Sequence, residues 1–169
     1  MMRIVVGGLG AWLVVAPVAH AGPAQDCNQT RDLNRQLRGC TAYIKEGAGG
    51  QKDLATAYLN RANVYAQRGK YPLAFADFAS AIGLDPSNAL SPYNRGTAYF
   101  DTQQYELAIA DFTRAIELEP RFALAYLNRG LSQEARGDNN AAVEDYRRVL
   151  ALDSTVEAAQ RRLRVLETH

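Results

Sequence analysis

Histidine is nearly missing from this sequence: His20 and His169 are the only two, one beside an apolar N-terminal stretch and the other the last residue. Neither stands where an ordered interior site would form, which excludes His-dependent acid–base chemistry and His-type metal sites. No phosphate-cradling glycine loop, nucleophile elbow or clustered carboxylate pair occurs either. The run Gly47-Ala48-Gly49-Gly50 has no Lys-Ser/Thr opening a helix behind it, so it reads as a flexible connection. An enzyme would need Asp or Glu pairs alone, and the visible ones belong to a repeating pattern. The expectation is a protein with no catalytic residue, no cofactor and no metal.

A surplus of charge is also absent. Lys and Arg number 19 against 18 Asp and Glu, a net charge of +1. Nucleic-acid binding needs a basic face that releases counterions, so this balance argues against it and against polyanionic or membrane-surface partners. The cluster Arg161, Arg162, Arg164 reads as a solvated helix face.

Long apolar runs are missing except at Ile4 to Val18, which follows Arg3 and contains three glycines. Pro17 breaks the run, and Ala19-His20-Ala21 has the small-x-small form that signal peptidase accepts. The expectation is a secretory signal peptide over residues 1–21, cut after Ala21 to leave 148 residues, one domain's worth. A retained membrane anchor is the lesser reading, because the run falls short of the about 20 residues a bilayer span needs. Cys27 follows Ala-Gln-Asp and not the small apolar residues that lipid attachment requires.

Cysteines number only two, Cys27 and Cys40. In an exported chain an even count reads first as a disulfide. Asp32 to Glu46 has Leu33, Leu37, Cys40 and Ile44 on one helical stripe, and Cys27 lies just before it. A bridge closing so small a loop contributes about 3 kcal/mol in the chain-entropy model. A redox-active pair fits poorly, since the spacing is not C-x-x-C and nothing nearby stabilises a thiolate.

What the sequence does have is a period of 34 residues. Asn60-Arg61, Asn94-Arg95 and Asn128-Arg129 recur at that interval, as do Ala74, Ala108 and Ala142; Asp77, Asp111 and Asp145; and Phe78, Phe112 and Tyr146. Ala55–Asn88 and Ala89–Phe122 are identical at 14 of 34 positions, far beyond what unrelated helices share. This period and pattern resemble the tetratricopeptide repeat, a helix-turn-helix unit that stacks into a superhelix.

The resemblance implies an all-α, right-handed solenoid. Residues 55–88, 89–122 and 123–156 form three hairpins, 22–54 an N-terminal segment with the Cys-bearing helix, and 157–169 a C-terminal capping helix. Small Ala62, Gly96 and Gly130 face Ala74, Ala108 and Ala142, letting paired helices approach closely. Tyr65, Tyr99, Phe78, Phe112 and Tyr146 fill the wedges beside them. Pro86 and Pro120 end the second helices, and Gly69 and Gly137 mark turns. Two departures carry expectations of their own. Ser91-Pro92 reads as a cap followed by a first-turn proline, which delays the second repeat's first helix by three residues. Ser154-x-x-Glu157 reads as a capping box opening the last helix. The Cys-bearing helix is expected to cap the N-terminal end as a half-repeat without its partner helix.

The recurring Arg and Asp admit two readings. Arg61, Arg95 and Arg129 either form a basic ladder along the groove or pair with the recurrent Asp, within a hairpin or across the seam from the preceding one. The shared period and opposite sign favour pairing, worth ~0–1 kcal/mol for partly exposed partners.

Family members that grip a chaperone's C-terminal carboxylate use a fixed set of groove residues. At those positions this chain has Leu59, Asn63, Asn94, Leu124 and Asn128, so the neutral positions match and all cationic ones are missing. The family's concave positions carry Thr56, Leu59, Asn63, Leu90, Tyr93, Thr97, Phe100, Leu124, Leu127 and Leu131, bordered by Asn60, Asn94 and Asn128. Leu and Phe on a concave wall mark a partner site. The expectation is an adaptor that binds a protein or peptide in this groove. The alternative is self-association of the repeat into a homo-oligomer. The signal peptide and lone Cys pair are similar to those of periplasmic repeat proteins of Gram-negative bacteria, which implies an exported, periplasmic location.

Overall fold

The computed structural model describes residues 22–29, 31–47 and 49–168. The signal peptide expected over 1–21 and both histidines lie outside the described residues. Among those described there are nine helices and no strand: α1 (Pro23–Gln29), α2 (Leu33–Glu46), α3 (Gln51–Gln67), α4 (Tyr71–Leu84), α5 (Leu90–Asp101), α6 (Tyr105–Leu118), α7 (Ala123–Arg136), α8 (Asn139–Leu152) and α9 (Glu157–Glu167). Helices α3 and α4, α5 and α6, and α7 and α8 pack as hairpins, and α9 closes the row against α8.

Each hairpin is held by close approach on one side and by charge on the other. Ala74, Ala108 and Ala142 are fully buried, as are Phe78, Phe112 and Tyr146 one turn further on. A Cβ on Gly96 would stand 2.9 Å from the Phe112 ring, and one on Gly130 would stand 2.8 Å from the Tyr146 ring. Seams between hairpins are filled by rings: Phe75 stacks on Tyr99 at 4.4 Å, and Tyr93 meets Phe122 at 4.7 Å.

The recurrent charges pair within each hairpin. Arg61 Nε and Nη2 donate to both carboxylate oxygens of Asp77 at 2.7 and 2.8 Å. Arg95 does the same to Asp111, both at 2.7 Å, and Arg129 to Asp145 at 2.8 and 2.7 Å. Hydrogen bonding to the carboxylates raises the pKa of all three guanidinium groups above the ordinary arginine value. The expectation of weak, partly exposed pairs needs revision, because Asp77, Asp111 and Asp145 are 6%, 7% and 4% exposed. Removing an arginine leaves a buried carboxylate unpaired, which costs about 3–5 kcal/mol and not a fraction of one.

Four local expectations are corrected. First, α5 starts at Leu90, with Ser91 inside the helix and Asn88 Oδ1 accepting the Leu90 N–H at 3.0 Å in the turn ahead of it. Pro92 then falls in the first turn, where its missing donor has no intrahelical acceptor to lose. Second, the Ser154 capping box does not form. Asp153 Oδ1 accepts from the Thr155 backbone N–H at 2.9 Å and its hydroxyl at 2.6 Å, which holds a turn ahead of α9 at Glu157.

Third, the Cys-bearing helix α2 does not stand alone. The short helix α1 pairs with it, and Cys27 and Cys40 are joined in a disulfide with Cα atoms 4.5 Å apart. Cys40 lies one period before Ala74, so a covalent bond takes the place of the small-residue contact. Gly39 permits it, since a Cβ there would stand 2.8 Å from the Cys27 nitrogen. Fourth, the Arg cluster on α9 is not wholly solvated. Arg162 binds Glu134 at 2.6 Å, and Glu134 also accepts from the Tyr146 hydroxyl at 2.8 Å. Burial pushes that tyrosine's pKa well above its ordinary value. Ala159, Leu163 and Leu166 pack on Tyr146 and Val149, covering the last apolar surface.

Replacing both cysteines by alanine lowers the unfolding free energy by about 3 kcal/mol in urea denaturation and removes amide-exchange protection from α1 while α5–α8 keep theirs. Unchanged protection of α1 contradicts this. Gly130→Val forces the Tyr146 ring out of its seat and lowers stability by about 2–3 kcal/mol, seen as a lower urea midpoint with unchanged slope.

Candidate peptide-binding groove

Helices α3, α5 and α7 lie side by side, and two adjoining pockets open between them. One, about 250 Å³, is lined by Asn63, Ala66, Gln67, Phe78, Asn94, Thr97, Ala98 and Asp101. The second, about 220 Å³, is lined by Thr97, Phe100, Asp101, Asn128 and Leu131. Thr97 and Asp101 belong to both, so the two form one depression with a polar half and an apolar half.

Six residues expected on the concave wall come together here: Asn63, Asn94, Thr97, Phe100, Asn128 and Leu131. The other seven are placed elsewhere: Thr56 lines a separate pocket with Cys27 and Tyr43, and Leu90 is exposed outside both pockets. Leu59 is 6% exposed and packs in the core with Phe78. Asn60 donates to the Cys27 carbonyl at 3.3 Å and to Asn28 at 2.9 Å, fastening the N-terminal hairpin to α3. Tyr93 is wedged against Phe112 and Phe122, and burial raises its pKa. Leu127 packs against the α8–α9 core, and Leu124 is 52% exposed but outside both pockets.

The three recurrent asparagines therefore have different fates. Asn128 Nδ2 donates to the Tyr93 hydroxyl at 3.1 Å. The residue one period before Tyr93 is Leu59, which has no polar side-chain atom to offer Asn94. Asn94 and its neighbour Asn63 thus keep amides with no hydrogen-bond partner among the described residues, and both line the same pocket. A carboxamide carries two donors and an acceptor, the set that matches a peptide's own N–H and C=O.

Asp101 is the groove residue that periodicity missed. Its equivalents are Gln67 and Ala135, so it belongs to no recurring set. It is exposed, lies in the wall common to both pockets, and makes no ion pair among the described residues. It is also the one charged residue among those lining either pocket. The usable signal in the sequence was the break in the period at its last helical position.

Comparison with known proteins agrees with this architecture. A tetratricopeptide repeat family model matches residues 93–157 and a TPR repeat model matches 62–103, overlapping to span more than half of the 169-residue chain. The first TPR of Spaghetti (RPAP3), solved bound to the HSP90 peptide SRMEEVD, is 31% identical with a TM-score of 0.66, covering 71% of this chain and 94% of that one. The second TPR domain of human RPAP3, in complex with the HSP70 peptide SGPTIEEVD, is 33% identical with a TM-score of 0.67, covering 70% and 98%. MamA, at 21% identity and a TM-score of 0.76 over 86% and 82% of the two chains, is similar in fold alone. No curated protein sequence matches the chain. Overlapping family models and relatives about a third identical over nearly their whole length place it: the chain belongs to the tetratricopeptide repeat family.

Proposed function

We propose that this protein is a non-catalytic adaptor that holds an extended segment of a partner protein in the depression between α3, α5 and α7. The observation that carries this reading is the pairing of Asn63 and Asn94, whose amides are unpartnered, with the Phe100 and Leu131 surface next to them. Amides there bond a peptide backbone without reading its sequence, and the apolar half takes a side chain. Related domains solved bound to peptides support a peptide-holding role.

The proposed setting is an oxidising compartment, the periplasm of the cell envelope. The Cys27–Cys40 disulfide supports it, as does the leader-like composition of residues 1–21. Among the described residues no helix is long and apolar enough to cross a membrane.

Photo-crosslinkers at Thr97 and Phe100, with Leu107 on α6 as the control, test the adaptor reading in cells. Crosslinks to another protein from the first two positions, and none from Leu107, are expected. Capture only of a second copy of the chain supports self-association instead and overturns the proposal. Ligand polarity can be checked directly by titrating SRMEEVD and following amide shifts. The chain has Leu59, Asn63, Leu124 and Asn128 at positions where an acidic tail meets cations or their neutral partner. No saturation below millimolar peptide is expected, and micromolar saturation with shifts at Asn94 contradicts this.

A further inference from the structure

The groove's charge points to the kind of segment it takes. Every recurrent arginine is turned away from a ligand by its own aspartate, since Arg61, Arg95 and Arg129 each spend two donors on Asp77, Asp111 and Asp145. Arg68, at the end of the first hairpin's opening helix, donates to Asn34, and Arg136 pairs with Asp138. No cation lines either pocket, and one carboxylate, Asp101, is common to both.

Resting on the groove reading above, we infer that the bound segment carries a lysine or arginine set against Asp101, with an apolar side chain beside it against Phe100 and Leu131. The argument is one of complementarity. An acidic segment brings like charge to Asp101 with no cation to offset it. A neutral one covers the carboxylate and strips its water without a partner, which is the costly outcome for a charged group. A cationic side chain takes up the free carboxylate oxygens, and its aliphatic stem lies along the Thr97 wall. In an extended chain, residues two apart point to the same side. The apolar residue that enters the second pocket is therefore expected two positions from the basic one. Charge pairing of this kind also speeds encounter and weakens with salt.

The test uses the whole chain and an array of acetylated, amidated octapeptides in which one position at a time is fixed and the rest are mixtures. Blocking both peptide ends removes terminal charge from the comparison. The expected result is enrichment of Lys and Arg, with Leu or Phe preferred two positions away. Asp101→Asn lowers affinity for the basic peptides about tenfold. Asp101→Lys shifts the charge preference to Asp and Glu while the apolar preference stays. Asp101 is exposed, so both variants should keep the helical signal and thermal midpoint of the parent, which circular dichroism checks. Absence of a Lys or Arg preference, or a preference that survives Asp101→Lys, overturns the inference while leaving the groove in place. Thr97→Gln, which fills the wall common to both pockets, separates the two failures. If no peptide binds, or binding ignores Thr97→Gln, the groove reading itself falls.

Discussion

The bidentate bond between an arginine on one helix and an aspartate sixteen residues later on the next is the contact on which the rest of this molecule depends. It recurs in all three hairpins with nearly the same geometry. The aspartate end is buried, and the arginine end lies against tyrosine rings: Tyr58 at 5.4 Å from Arg61, Tyr99 at 5.9 Å from Arg95, and Tyr126 at 5.5 Å from Arg129. Arg129 also donates to Thr113 at 3.0 Å, which ties the third hairpin to the second. Burial raises the cost of breaking such a pair well above that of a surface ion pair, and the neighbouring rings add a cation–π contact to each guanidinium. The hairpin angle is set by this contact together with the small residues beside it.

That same contact decides the polarity of the concave side. A repeat protein whose periodic arginines were free would present a basic ladder and suit an acidic ligand. Here the scaffold consumes those cations, and the groove is left with carboxamides, apolar surface and the single charge of Asp101. The relatives at about a third identity are bound to peptides ending in Glu-Glu-Val-Asp. Shared architecture does not fix the ligand, because fold and ligand are set by different residues. Buried small residues and staples specify the first, and exposed first-helix residues specify the second.

Much of the fold was legible in the sequence because each recurring residue answers a recurring physical need. The 34-residue period, the need for small residues between paired helices, the Arg–Asp pairing and the Cys27–Cys40 bond could all be read from spacing and residue type, although Gly96 and Gly130 stand nearest the Phe112 and Tyr146 rings and not the alanines expected opposite them. What could not be read were contests between neighbouring groups. Asn88 takes the Leu90 N–H and the helix opens before Ser91 can cap it, and Asp153 captures Thr155 before Ser154 can cap α9. Helix α1 escaped notice because seven residues are too few to show a period. In the groove, three identical asparagines were indistinguishable by type. Only their neighbours, the Cys27 carbonyl, Leu59 and the Tyr93 hydroxyl, separate the two that serve the scaffold from Asn94. Asp101 was invisible to a search for recurrence because it occurs once.

A double-mutant cycle on Arg95 and Asp111, using Arg95→Met, Asp111→Leu and the pair in urea denaturation, tests the central claim most directly. If the staple organises the hairpin, Arg95→Met alone costs about 3 kcal/mol. The double variant then recovers much of that loss, giving a coupling energy of about 2 kcal/mol or more between the two residues. Additive effects with coupling below about 0.5 kcal/mol would contradict it. The arginines would then have to be counted again as free groove cations.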